Sequence, residues 1–115
     1  MKRWFRSIGF ALNGVMYALR ITPNMRIQLG VFCLVVIAGA VFHLSLTEWC
    51  LLALCASLVL AAELINTAIE HVVDLISPDY HPLAGRIKDM AAGAVLICAL
   101  ASAVVGVLIF LPKMM

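Results

Sequence analysis

Between positions 63 and 74 the chain places Glu63, Asn66, Glu70 and Asp74 among the apolar residues Leu64, Ile65, Ala68, Ile69, Val72 and Val73. At about 100° per helical residue, with Glu63 at zero, Asn66 falls near −60°, Glu70 near −20° and Asp74 near +20°. Three carboxylates and an amide therefore share one stripe, about 80° wide and roughly three turns long. Carboxylates so spaced repel each other, and beside a membrane each also loses hydration. A cation must answer them, either a divalent metal ion or Arg86 and Lys88 further along. The stripe admits three readings: a solvated helix extension beyond the bilayer, a structural ion pair with Lys88, or catalysis. Glu63 abuts an apolar run, where a carboxylate can act as general base toward a lipid hydroxyl. A second carboxylate one to two turns on suits Mg²⁺, which takes oxygen ligands and keeps bound phosphates. Lys88 and Asp89 open the next helix on the same side, and a lysine beside phosphate neutralises charge. Tyr80-His81, in the intervening loop, offers rings on which an adenine stacks. No Walker A or kinase glycine-rich loop is present. The residues alone therefore lead to a metal-binding membrane enzyme or an ion-relay protein.

The elements that must carry this stripe are helices in a bilayer. Of 115 residues, 65% are hydrophobic and 12% charged, more apolar side chain than a soluble domain of this length could bury. Residues 27–42, 49–62 and 90–111 contain no Asp, Glu, Lys or Arg. The first two runs fall short of the roughly 20 residues that a span requires. Each lengthens by recruiting neighbours, the second through Glu63 and beyond. The expected class is an all-α membrane protein of one domain, residues 1–115. Its spans run over about 24–43, 47–66 and 90–111. Helical periodicity over 3–20 sets Trp4, Ile8, Leu12, Val15 and Leu19 opposite Arg3, Arg6, Asn13, Tyr17 and Arg20. That pattern predicts a basic amphipathic helix in the membrane interface. Thr22-Pro23-Asn24 should break it, Thr47 should cap the second span, and Ser77-Pro78 should end it. A third long helix should start near Arg86 and end at Leu111-Pro112. Ala99 and Ala103 form a small-xxx-small face on it.

A net charge of +2 gives no reason to expect nucleic acid as a partner. Its distribution says more. Lys2, Arg3, Arg6, Arg20, Arg26, Arg86 and Lys88 all lie before the first span or between the second and third. Cationic loops stay cytoplasmic, so the N-terminus is expected inside and the C-terminus outside. Cys33, Cys50, Cys55 and Cys98 all sit in apolar runs without ligand-like spacing, as small hydrophobic fillers would. No cleaved signal peptide is expected, since Asn13 and Gly14 interrupt residues 7–19 and no small-x-small site follows.

The stretch Glu63-Leu-Ile-Asn66-Thr-Ala-Ile-Glu70-x-x-x-Asp74, then Tyr80-His81 and Gly85-Arg86-Ile87-Lys88-Asp89-Met90-Ala91-Ala92-Gly93, closely resembles the prokaryotic diacylglycerol kinase family, which includes undecaprenol kinases. Asn24-Met25-Arg26 and the closing Phe110-Leu111-Pro112-Lys113 extend the resemblance over nearly the whole chain. It implies a homotrimer of three-span subunits in the bacterial inner membrane, with active sites between subunits at the cytoplasmic face. There the γ-phosphoryl group of ATP passes directly to the hydroxyl of diacylglycerol or undecaprenol, with Mg²⁺. By position, the resemblance makes Glu63 the catalytic base and Asn66 the amide beside it. Glu70 becomes the Mg²⁺-binding glutamate that also meets nucleotide. Asp79, Tyr80, His81, Lys88 and Asp89 fall in the ATP-binding segments, and Phe10 stands where some relatives have Tyr. Arg3 matches an arginine near phosphates and substrate. Asn24, Arg26, Gln28 and Trp49 join Arg3 and Glu63 about the lipid acceptor, while Asp74 and Arg86 shape the local charge.

One departure stands out. Relatives commonly carry a second metal-binding glutamate at the position of Thr22, and His or Glu where Gln28 stands. A hydroxyl cannot replace a carboxylate's charge at Mg²⁺, so weakened metal binding with retained activity is expected. The Phe-Leu-Pro-Lys ending leans toward the undecaprenol-kinase branch. Two other classes remain open at this stage: an intramembrane proton or ion relay, and an assembly protein that kept the fold and lost the metal site.

Overall fold

In the computed structural model, which describes residues 1–115, four helices make up nearly the whole chain. They are α1 (Lys2–Ile21), α2 (Pro23–Phe42), α3 (Leu46–Ile76) and α4 (Pro82–Met114). There are no strands, and α2, α3 and α4 are each long and apolar enough to cross a membrane.

The breaks follow from local chemistry. Thr22 alone separates α1 from α2, at φ −115° and ψ 107°, because a residue before proline is pushed out of the α region. Pro23 then opens α2 at a position where its missing N–H is not needed. His43 ends α2 in the left-handed region, at φ 55°. The cap of α3 is Ser45 rather than Thr47. Its Oγ accepts from the Glu48 N–H at 3.2 Å, while Glu48 Oε1 accepts from the Ser45 N–H at 2.9 Å, a reciprocal capping box. The fourth helix starts at Pro82, a turn before Arg86, since His81 supplies a side-chain cap and Pro82 a preset φ. It runs past Pro112 to Met114; so near the end, a proline removes only one helical hydrogen bond.

The central helix is α3, with α4 antiparallel along most of its length and α2 on another side. An ion pair marks each end of the α3–α4 pair: Lys113 to Glu48 at 3.1 Å, and Lys88 to Asp74 at 2.6 Å. The pairs lie 26 residues apart on α3 and 25 apart on α4, as two antiparallel helices in one register require. At the Glu48 end, Phe42 of α2 meets Phe110 of α4 edge to face, 6.0 Å between centroids. Away from that contact α2 and α4 diverge, leaving a cavity of 240 Å³ lined by Gln28, Val59, Ala99, Ser102 and Ala103 among others. Ala99 and Ala103 thus face this cavity. Only ten residues are buried, too few for a self-sufficient core, so lipid or other protein must cover the apolar faces.

Gly39 is one place where α2 and the start of α3 close tightly. A Cβ there would stand 2.5 Å from Trp49 Cη2 and 2.9 Å from Leu44 Cδ1. Gly39→Ala is expected to destabilise the fold by about 1–3 kcal/mol. Gly30→Ala, which meets nothing within 4 Å, should cost nothing and gain helix propensity. Denaturation of both variants in detergent checks the pair; equal midpoints would remove the steric account.

Candidate active site

The Glu63 end of the acidic stripe lies on the buried face of α3, with Glu70 half-buried and Asp74 exposed. Glu63 is 3% exposed, Asn66 8% and Thr67 6%, with Val59 and Val73 above and below them. A solvated extension is therefore the wrong description of Glu63. Charged groups are seldom fully buried without partners, and here the partners are polar rather than cationic. Asn24, in the first turn of α2, is the hydrogen-bonding neighbour of the Glu63 carboxylate, while Glu70 is a second carboxylate whose charge opposes it. The Asn66 Nδ2 donates to Glu70 Oε1 at 3.3 Å. Asn66 Oδ1 is buried and accepts from nothing. An orphaned buried acceptor is costly, and this one lies within the carboxylate ridge.

Thr67 joins the group. Its Oγ1 donates to the Glu63 carbonyl at 3.0 Å, leaving its lone pairs toward Thr22 Oγ1 at 3.5 Å. At that length the contact is a weak one, yet it seats the Thr22 position against the ridge. The sequence reading passed over Thr67, although it falls only about 40° from Glu63 on the helical wheel. His71, about 80° away, was also passed over. Its Nδ1–H donates to the Thr67 carbonyl at 2.9 Å, and its ring stands edge-on to Tyr17, 6.2 Å between centroids. Between α1 and α3 these side chains, with Ala11, Gly14, Ala18 and Ala68, border an apolar groove of 570 Å³.

At the α3–α4 turn the expected nucleotide residues come together. Asp79, Tyr80, His81 and Lys88 line a cleft of 170 Å³ with Asp74 and Gly85. His81 Nδ1 accepts from the Leu83 N–H at 3.1 Å, so one ring nitrogen is engaged in capping α4. Lys88 spans the cleft to Asp74. The Asp74 carboxylate, by hydrogen bond and charge, holds the Lys88 ammonium above the ordinary lysine value. The structural ion pair envisaged from the sequence thus exists, but at Asp74 alone. Neither Glu63 nor Glu70 has a salt-bridge partner within the chain.

Other expected residues stand apart. Arg3 and Phe10 lie on the far half of α1, where Trp4, Phe5 and Phe10 are 75%, 68% and 67% exposed; Arg3 is about 22 Å along the helix from the buried Ala18. Asp89 and Arg86 do not line the cleft. The Arg26 guanidinium donates from Nη1 to the carbonyls of Leu19 and Arg20, at 2.9 and 2.8 Å. Gln28 faces the cavity between α2 and α4. Trp49 packs on Gly39, about 21 Å along α3 from Glu63.

The donor set is all oxygen: the carboxylates of Glu63 and Glu70 and the free Asn66 carbonyl. That chemistry fits a hard divalent cation. No three acidic, His or Cys side chains converge on one point, so a bound ion would take most of its ligands from water and phosphate, as Mg²⁺ commonly does.

The family model of prokaryotic diacylglycerol kinase matches residues 9–110. The chain is 42% identical to an undecaprenol kinase of Bacillus subtilis over 114 residues, 99% of this chain and 93% of that one. It is 42% identical to a diacylglycerol kinase of Synechocystis over 110 residues, 95% of this chain and 63% of that one. A diacylglycerol kinase of Helicobacter pylori strain J99 is 36% identical over 98 residues, 84% of this chain and 75% of that one.

The Asp74–Lys88 pair is half exposed, with side chains 64% and 38% accessible, and exposed pairs contribute little. A double-mutant cycle with Asp74→Asn and Lys88→Met should give a coupling of under about 1 kcal/mol in unfolding. A coupling of several kcal/mol would mean that the pair holds the turn.

Proposed function

The chain belongs to the prokaryotic diacylglycerol kinase family, and from that premise we propose that it phosphorylates a long-chain lipid hydroxyl with ATP and Mg²⁺ at the cytoplasmic face of the bacterial inner membrane. The observation that carries the reading is Glu63, a carboxylate 3% exposed at the edge of an apolar span, with no cation beside it. Such a group is expensive for a structural helix to keep and useful to a hydroxyl acceptor.

In the proposed reaction the Glu63 carboxylate takes the acceptor's O–H proton as the oxygen attacks the γ-phosphorus. The bond from that phosphorus to the β–γ bridging oxygen breaks, and ADP leaves. Asn66, tied to Glu70 through Nδ2, turns its free carbonyl to the same space and orients the acceptor. Glu70 would hold Mg²⁺, which supplies charge neutralisation at the phosphates. Lys88 reaches toward phosphate from the α3–α4 cleft, and Asp79, Tyr80 and His81 form the nucleotide side, with Asp89 next to Lys88 but outside the cleft. Arg3 and Phe10 stand too far along α1 to serve the same chain's ridge. That separation supports a homotrimer whose sites combine α1 of one subunit with the cleft of another, N-terminus inside and C-terminus outside. Undecaprenol is the favoured acceptor, since the relative matched across 93% of its own length is an undecaprenol kinase; diacylglycerol is the alternative.

Purified protein in lipid nanodiscs with labelled ATP and either lipid tests the reading. Glu63→Gln is expected to lose phosphorylation by at least about a hundredfold while the fold is retained, and chelation of divalent cations should abolish turnover in the parent. Should Glu63→Gln turn over normally, the base lies elsewhere.

The Thr22–Thr67 contact bears on metal affinity. At Thr22 the family resemblance implies a carboxylate, and here two hydroxyls meet instead. Thr22→Glu is expected to lower the Mg²⁺ concentration for half-maximal activity by several-fold relative to the parent, through one more anionic ligand. Coincident half-saturation points would show that Thr22 does not limit metal binding.

A further inference from the structure

All that separates α1 from α2 is Thr22, and that one-residue elbow is where the orientation of α1 is decided. Beyond it, α1 touches the rest of the chain near its C-terminal end, at buried Ala18 and through Tyr17 against His71. Its N-terminal half projects freely, with Met1, Trp4 and Phe5 among the most exposed apolar residues. From Leu19 to Arg3 the lever is about 24 Å long, so a swing of about 10° at the elbow carries Arg3 by about 4 Å.

Arg26 closes the elbow from the other side. Its Nη1 donates to Leu19 O at 2.9 Å and Arg20 O at 2.8 Å, two carbonyls that the end of α1 leaves without helical partners. A cation there also meets the negative end of the α1 dipole. The same turn of α2 puts Asn24 beside Glu63 and buries Met25 to 3% exposure. One short segment therefore registers α1 and the Glu63 ridge against each other.

We propose that Arg26 is a positioning residue: its guanidinium locks the C-terminus of α1 onto the first turn of α2 and so sets where the basic N-terminal half of α1 stands relative to Glu63. This assignment replaces the expectation that Arg26 meets the lipid acceptor. Both donations come from a single nitrogen, Nη1, of a planar guanidinium; a lysine ammonium brings charge and donors on a more flexible stem and keeps only part of the lock.

The test pairs hydrogen exchange with kinetics on the full-length protein in nanodiscs, for Arg26→Gln and the milder Arg26→Lys. Only the kinetic arm rests on the kinase reading. Exchange over residues 15–22 should quicken roughly tenfold in Arg26→Gln, with Arg26→Lys in between, because each lost charge-assisted bond frees the last turn. For phosphorylation of undecaprenol, kcat should fall roughly ten- to hundredfold through misplacement, while KM for the lipid stays within about twofold of the parent. Unchanged exchange in both variants overturns the brace. So does a raised lipid KM with kcat kept, the signature of a direct acceptor contact. If the parent protein phosphorylates no lipid, the kinase reading fails on that result, and the exchange arm still judges the brace.

Discussion

A carboxylate buried on a long apolar helix, hidden from both water and hydrocarbon, constrains how the rest of this chain is arranged. Glu63 has no cation to pair with, so its burial is tolerable only inside a collar of polar groups. The collar comes from several directions. Asn24 arrives on the first turn of α2, Asn66 engages the neighbouring Glu70 carboxylate, whose charge would otherwise add to that of Glu63, and Thr67 fastens the backbone carbonyl of Glu63 while meeting Thr22. The elbow between α1 and α2 is placed where this ridge requires it, and Arg26 ties the end of α1 to that elbow. The unpartnered Asn66 carbonyl is the point at which the collar is incomplete, an acceptor open to a hydrogen-bond donor.

The opposite end of the molecule serves register. Ser45 and Glu48 cap α3 reciprocally, Glu48 also pairs with Lys113, and Trp49 closes on Gly39. These contacts hold α2, α3 and α4 together at the Glu48 end. With α3 and α4 fixed there, the α3–α4 turn at the other end has Asp74 facing Lys88 and Asp79, Tyr80 and His81 around one cleft. Trp49 contributes to this clamp, about 21 Å along α3 from Glu63. His81 shows a related economy of placement: one of its ring nitrogens caps α4, leaving the other side of the ring to the cleft.

A chain with ten buried residues does not bury its own apolar surface. Between membrane helices there is no hydrophobic driving force of the aqueous kind, so close packing and polar contacts do the holding. Both are present between α3 and α4, and both are sparse around the outer half of α1 and along the α2–α4 cavity. The exposed N-terminal half of α1 carries Arg3 and Phe10 and buries neither against the rest of the chain.

How much of this was legible beforehand depends on the range of the physics. Spans, helix breaks and the coincidence of Glu63, Asn66, Glu70 and Asp74 on one face follow from charge gaps, proline and helical periodicity, which are properties of neighbours in the chain. Even there, short-range competition moved details: Ser45 took the cap expected of Thr47, and His81-Pro82 started the last helix before Arg86. Which member of the stripe is buried could not be read in this way, because a helical wheel assigns a direction but not what lies in it. Only packing separated Glu63, enclosed by the elbow, from Asp74, exposed and paired with Lys88. It also revealed Thr67 as part of the ridge, through a contact between segments as distant as Thr22 and Thr67, and it folded Arg26 back across the elbow onto Leu19 and Arg20. Local sequence determined the faces and the breaks; tertiary structure decided which polar groups meet, because burial and hydrogen bonding are settled between helices rather than along them.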